Sequence, residues 1–398
     1  MKVPFGTITI TQRSKDLIGK ALDSGRVSSG KYVREFEEKF AEHVNAKEAV
    51  AVSSGTDADV LALAVLYDFG AKRGDEVIIP ALSFVATGNA VLHAGFKPVF
   101  VDIDKDTLNI DVNLIEKAVT KKTRAIMPAH LMGKPAKMDI IKRIAKKRNL
   151  YVIEDAAEAH GAVYKGKKVG EWGDMAAYSL YLAHIITTVE GGIVTTNKEK
   201  FADILRSLRC HGRACKCNIC IVNTASDYCK KRFKYGKDIR FIFERVGYSS
   251  KMNELEAAVG LGSLEMYDKI IEKRRYNLLT MISRLKKFDK YLATIQEDKD
   301  EKVGPHAFPI IVKERAPFSR DRFVDYLDKN GIDTRDLFSS MPTQCPGFAY
   351  LGHKLGDFPN AEFIGNNGLH IGVHQDLGDE HIDYIMNMVE KFITATTK

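Results

Sequence analysis

Between residues 49 and 154 the sequence alternates short apolar runs with amphipathic stretches, and this alternation limits the fold more than any other feature. Ala49–Val52, Glu76–Pro80, Pro98–Asp102, Arg124–Pro128 and Leu150–Glu154 read as buried strands. The stretches 58–69, 83–95, 111–120 and 137–148 between them read as helices. Strands joined through helices imply a mainly parallel sheet covered on both faces. Asp174–Tyr181 and Gly192–Thr196 read as two more strands, and 9–25 and 31–44 as leading helices. The pattern changes after about residue 245. Asn253–Lys287 is strongly helical, His306–Lys313 reads as a strand, and Ser319–Asn330 and 377–396 as helices. The expectation is an α/β chain with a large domain over 1–245 and a linking helix plus smaller α+β domain over 246–398.

With 398 residues, 45% of them hydrophobic and 28% charged, the chain has neither a disordered nor a membrane composition. Its apolar runs are too short to span a bilayer, and Met1–Gly6 lacks an apolar signal core, so a cytoplasmic protein is expected. The net charge of +8 suits solvated basic faces or a weak pull on anionic ligands. There is no nucleic-acid motif. Five of the six cysteines lie within 210–229, which in a cytoplasmic chain reads as metal, iron–sulfur or redox chemistry before disulfides.

Two segments carry candidate chemistry. Ser53-Ser54-Gly55-Thr56-Asp57 follows a strand and opens a helix, an arrangement that builds an anion site from backbone N–H groups and the helix dipole. Val152–Asp155 ends a buried strand in a carboxylate, at the edge where parallel sheets bind ligands. Asp155 there suits either a helix cap or a partner for a pyridinium nitrogen, the charge that makes a pyridoxal ring an electron sink. His184 stands in an apolar stretch, as a core histidine or as a proton-transfer group.

Six ordered motifs then resemble one family: Ser-Gly-Thr-Asp at 54–57, Pro-Ala-Leu-Ser-Phe-Val-Ala-Thr at 80–87, Phe-Val-Asp-Ile-Asp at 100–104, Glu-Asp-Ala-Ala-Glu-Ala-His-Gly at 154–161, Thr-Thr-Val-Glu-Gly-Gly at 187–192 and Gly-Tyr-Ser-Ser-Lys-Met at 247–252. The chain looks like a DegT-type sugar aminotransferase or dehydratase, with the fold-type-I architecture of pyridoxal-phosphate enzymes. The aminotransferases of that family carry a Schiff-base lysine at the place of His184, and no lysine lies between Lys168 and Lys198. Ala183-His184 resembles instead the lysine-lacking nucleotide-sugar 3-dehydratases.

That resemblance implies pyridoxamine or pyridoxal phosphate as cofactor and His184 as catalytic base. It implies Ser54, Gly55, Thr56 and Ser179 at the phosphate, Phe84 on the ring and Asp155 at the ring nitrogen. Glu158 would line the cofactor and His160 the substrate side, both also suited to structural roles. Arg335 would meet substrate phosphate or form an ion pair. A homodimer with shared active sites is implied, in which Ser249 replaces the usual asparagine that reaches the neighbouring subunit's phosphate. Val189 likewise replaces a usual glycine. Cys215, Cys217 and Cys229 resemble the ligands of an iron–sulfur 3-dehydrase served by a separate reductase. Cys220 or Cys210 would supply the fourth ligand of a 2Fe–2S cluster, with a zinc site or a redox-labile loop as alternatives. The expected activity is loss of water from C3 of a nucleotide-linked 4-keto-6-deoxy-hexose; the alternative is a non-catalytic relative with a binding or regulatory role.

Overall fold

The computed structural model describes residues 1–397 apart from 216, 218–220 and 223–226. Two helices lead the chain, α1 (Gln12–Asp23), capped by the Thr11 side chain, and α2 (Lys31–His43). The alternation then becomes strands β1 (Glu48–Val52), β2 (Glu76–Pro80), β3 (Lys97–Val101), β4 (Thr123–Ile126) and β5 (Tyr151–Asp155). Between them run α3 (Gly55–Ala64), α4 (Val85–His93), α5 (Val112–Ala118) and α6 (Met138–Arg148). β6 (Met175–Ser179), β7 (Gly192–Thr196) and α7 (Glu199–Leu208) follow.

These strands form a seven-stranded sheet in the order β1-β7-β6-β5-β4-β2-β3. Pairing is parallel from β3 through β6, whereas β7 runs antiparallel to both β6 and β1. The mainly parallel sheet expected from the alternation is present. Its strands are apolar on both faces, as in Val77-Ile78-Ile79, because helices cover both sides.

One expectation needs correcting. The helical stretch 253–287 is two helices, α8 (Glu254–Glu265) and α9 (Tyr267–Leu285), parted at Met266, where φ is −99° and ψ 0°. α8 is buried on nearly every side and packs against α1 and α2, whereas α9 buries a stripe. Two different packing partners require a change of direction, and no proline or turn residue announces it. A second sheet follows, all antiparallel, of β8 (Leu292–Ala293), β9 (Ala307–Val312), β10 (Thr334–Asp336) and β11 (Gly368–Gly372) in the order β8-β9-β11-β10. α10 (Arg320–Lys329) lies against β10 and β11, and α11 (Asp379–Thr396) against α9 and α10.

The first residues return to this second sheet. The Val3 N–H donates to Gly331 O at 2.8 Å and Asp333 N–H to Val3 O at 3.0 Å. A continuous apolar cluster runs from Val50 and Ile79 of the large sheet to Phe308 and Ile371 of the small one. Among the described residues no helix is long and apolar enough to cross a membrane.

Candidate active site

The carboxyl ends of β1, β5 and β6 and the start of the antiparallel β7 meet at one edge of the large sheet. α3 begins there. The Ser54 side chain caps it, accepting from the Asp57 N–H at 3.0 Å. A Cβ on Gly55 would lie 2.7 Å from Ser179 Cβ, and one on Gly192 2.1 Å from Ser54 O. The two glycines therefore let the ends of β6 and β7 close on the helix N-terminus. Ser54, Gly55, Thr56 and Ser179 come together as a cradle of N–H and hydroxyl groups, with the positive end of the helix dipole behind it.

Asp155 ends β5. Thr87 Oγ1 donates to its Oδ2 at 2.6 Å, and the Ala157 N–H to its Oδ1 at 3.2 Å. Burial pushes this carboxyl up, while Thr87, Ala157 and His130 pull it back. Phe84, the residue before α4, is 56% exposed with its ring 5.6 Å from that of Phe338.

His184 sits in the turn between β6 and β7, its N–H bonded to Tyr181 O at 2.9 Å. Its ring is held at 5.1 Å from that of His306, and its Nδ1 is buried without a hydrogen-bond partner. Burial, then the neighbouring His160 and Arg274, push the imidazole down to about 3, so it is neutral at neutral pH. Val189, in the same turn, has φ of 76°, a left-handed backbone that suits the glycine it replaces. Glu158 is nearby. Its Oε2 accepts from the Met132 N–H at 2.7 Å and its Oε1 lies 3.5 Å from His306 Nε2. Burial drives that carboxyl up to about 8, offset by the Met132 bond.

Other expected site residues lie further out. His160 is packed among Phe40, Tyr178 and Tyr267, one layer behind Ser179, whose carbonyl is 3.3 Å from its Nε2. Burial lowers it to about 4. The Arg335 guanidinium lies 5.0 Å over the Phe5 ring and donates to Thr334 O, in no ion pair among the described residues. Ser249 is exposed, bridged to Cys210 and bonded to Lys251 Nζ at 3.2 Å.

Burial, then the neighbouring Cys217 and Cys229, push the Cys215 thiol up, and Cys217 Sγ is 3.7 Å from Lys231 Nζ. Cys215 and Cys217, with Cys210, Arg34, Arg209 and Arg213, border a cavity of about 350 Å³, Cys229 lying beyond its lining. Cys220 lies outside the described residues, among which no group of three or more His, Cys, Asp or Glu is arranged to hold a metal.

Sequence reading missed two residues. His306 enters from the start of β9. Asp59, in α3, is 3% exposed, and its Oδ1 has no partner; burial and then Asp155 raise it far above the carboxylate range. A carboxylate inside the apolar run 58–64 was the available signal for Asp59.

The sequence profile of the DegT/DnrJ/EryC1/StrS aminotransferase family matches residues 9–390. The chain belongs to that family. It is 34% identical over 402 residues to the lipopolysaccharide biosynthesis protein RfbH of Salmonella typhimurium, covering 98% of this chain and 91% of that one. GDP-perosamine synthase of Caulobacter vibrioides is also 34% identical, over 383 residues and 95% of each chain. The solved structure of E. coli GDP-4-keto-6-deoxy-D-mannose-3-dehydratase with bound hydrated PLP superposes with a TM-score of 0.84 at 30% identity, covering 98% of this chain and 99% of that one.

DegT/DnrJ/EryC1/StrS membership fixes the fold-type-I architecture and a pyridoxal-phosphate-dependent, sugar-modifying chemistry. It does not fix the reaction, because relatives include both 3-dehydratases and aminotransferases. The residues present fit the cofactor. The cradle closed by Gly55 and Ser179 matches a phosphate, and Asp155 is a buried carboxylate set to accept from a protonated ring nitrogen.

Proposed function

We propose that this chain eliminates water from C3 of a nucleotide-linked 4-keto-6-deoxy-hexose, with pyridoxamine phosphate as cofactor and His184 as the base. The observation that carries the reading is a half-buried neutral imidazole in a turn where a lysine would be needed to bind the cofactor covalently. Lys134, a buried lysine, is engaged by Asp298 and Glu301 and the Gln296 carbonyl.

The bound cofactor supplies an amine for the C4 ketone and a ring that accepts electron density. The chain's own residues do the rest. The α3 N-terminus, Ser54 and Ser179 hold the phosphate, and Asp155 keeps the ring nitrogen protonated. Phe84, exposed at the site's edge, covers the ring face. His184 takes a proton from C4′ and returns it to the departing hydroxide at C3. Arg335 contacts a substrate phosphate.

The test incubates purified chain and pyridoxamine phosphate with 4-keto-6-deoxy sugars carrying GDP, CDP, UDP or dTDP. Elimination of water at C3 is expected with one of them; no product from any overturns the reading and favours the binding or regulatory alternative. His184→Lys is expected to lose dehydration, and full dehydration in that variant removes His184 from the base role.

Two finer parts belong to the same proposal. The exposed Phe241, Phe243 and Val246, the last 85% exposed, suit a homodimer interface; a monomer in light scattering rejects it. An iron–sulfur cluster on Cys215, Cys217, Cys220 and Cys229 would add a reductive branch fed by a separate reductase. Iron and sulfide analysis of anaerobically purified chain decides that point, and the elimination itself needs no cluster.

A further inference from the structure

We propose that His306 is a positioning residue for His184, and that a hydrogen-bonded chain from Glu158 through His306 decides which nitrogen of His184 holds a free lone pair. This rests on the base role proposed above for His184.

The geometry sets the three side chains in a row. Glu158 cannot turn away, because its Oε2 is tied to the Met132 N–H while its Oε1 faces His306 Nε2 at 3.5 Å. The His306 segment is equally fixed. Arg274 donates from Nε to Pro305 O at 3.0 Å and from Nη2 to His306 O at 2.7 Å. The rings of His306 and His184 are 5.1 Å apart and tilted by 40°. In both, Nδ1 is buried and has no partner. A buried orphaned nitrogen is costly, and each ring has the other as a neighbour able to satisfy it. Joining the two nitrogens takes a rotation about χ2, which is broad for histidine. The Ala157 backbone also hydrogen-bonds the His184 ring, which favours its protonated form.

Burial, then the surrounding charges, keeps both rings uncharged. His160 and Arg274 face His184; His184, Arg274, His370 and His160 face His306; Asp155 faces Glu158. A neutral imidazole has one N–H and one lone pair, so the partner of one nitrogen dictates the state of the other. With Glu158 protonated, its O–H donates to His306 Nε2, His306 Nδ1–H donates to His184 Nδ1, and His184 Nε2 carries hydrogen. Loss of one proton to solvent reverses each bond. His306 Nε2–H then donates to the carboxylate, His184 Nδ1–H donates to His306 Nδ1, and His184 Nε2 is left with a free lone pair. Two hydrogens shift along the chain, the third leaves as a proton, and no electrons are transferred.

The consequence is chemical. An isolated imidazole held near 3 is a weak base. Linked to Glu158, which burial holds up to about 8, the same nitrogen becomes available near the pH where general bases are most effective.

The test is nitrogen-15 NMR of histidine-labelled chain as purified, from about pH 6 to about pH 9.5, spanning the Glu158 transition. His184 is expected to change tautomer without ever becoming charged, with a midpoint near that of Glu158. His306→Phe and Glu158→Gln are each expected to abolish the change, and Glu158→Gln keeps the Met132 bond if the first variant fails to fold. No tautomer change in the unmodified chain, or an unaltered change in either variant, overturns the proposal. Dehydration, if present, is expected to fall about a hundredfold in Glu158→Gln. A normal tautomer change without dehydration sinks the proposed function alone; dehydration without the change sinks the chain of hydrogen bonds alone.

Discussion

Val189 holds a left-handed backbone with a β-branched side chain, a combination that costs about 1–3 kcal/mol. Glycine would relieve it and give back part of the gain as unfolded-chain entropy. Val189→Gly is therefore expected to stabilise the chain by about 1 kcal/mol in urea unfolding, and a loss of stability refutes the strain. Glu158 gives a signed pH effect. Its carboxyl is raised from 4.5 to about 8 in the folded chain, so the folded state binds a proton the unfolded state has lost. That contribution is full below about 4.5 and disappears as pH rises through about 8, at up to about 1.4 kcal/mol per pH unit. The unmodified chain should accordingly lose stability relative to Glu158→Gln between about pH 5 and pH 8; a constant difference refutes the shift. At this scale the sequence was partly legible. His184 stood out as a missing lysine and Val189 as a missing glycine, because both lie inside local motifs. His306 did not, because its closeness to His184 exists only once the second sheet has folded back.

Elements legible in the sequence were those whose period matched their burial. β2 and β7 have the expected bounds because apolar residues fill both faces between turn signals. β11 went unread, since Gly368-Leu-His-Ile-Gly372 is short and ends in glycine on both sides. The break at Met266 went unread because it answers a change of packing partner rather than a local signal. The cradle at α3 depends on elements, not on single contacts. Gly55→Ala places a methyl against Ser179 and must push β6 from the helix. The expected outcome is about 1–3 kcal/mol of lost stability together with at least roughly tenfold weaker binding of pyridoxamine phosphate by fluorescence titration. Unchanged affinity would remove the cradle from the phosphate role.

Across the whole molecule, the apolar cluster joining the two sheets carries His306 to a turn of the large sheet. The alternation of strands and helices predicted the large sheet, but not how the second sheet would meet it, because such contacts are set by tertiary packing. The clasp between Val3 and residues 331–333 has a consequence in time. During synthesis the Val3 segment emerges long before its hydrogen-bonding partners at 331–333. It waits unpaired while the large sheet assembles, and its docking is a closing event of maturation. Native-state hydrogen exchange should then release the Val3 and Asp333 amides together, ahead of those in β5 and β6. Protection of Val3 that outlasts Asp333 would place its anchoring elsewhere.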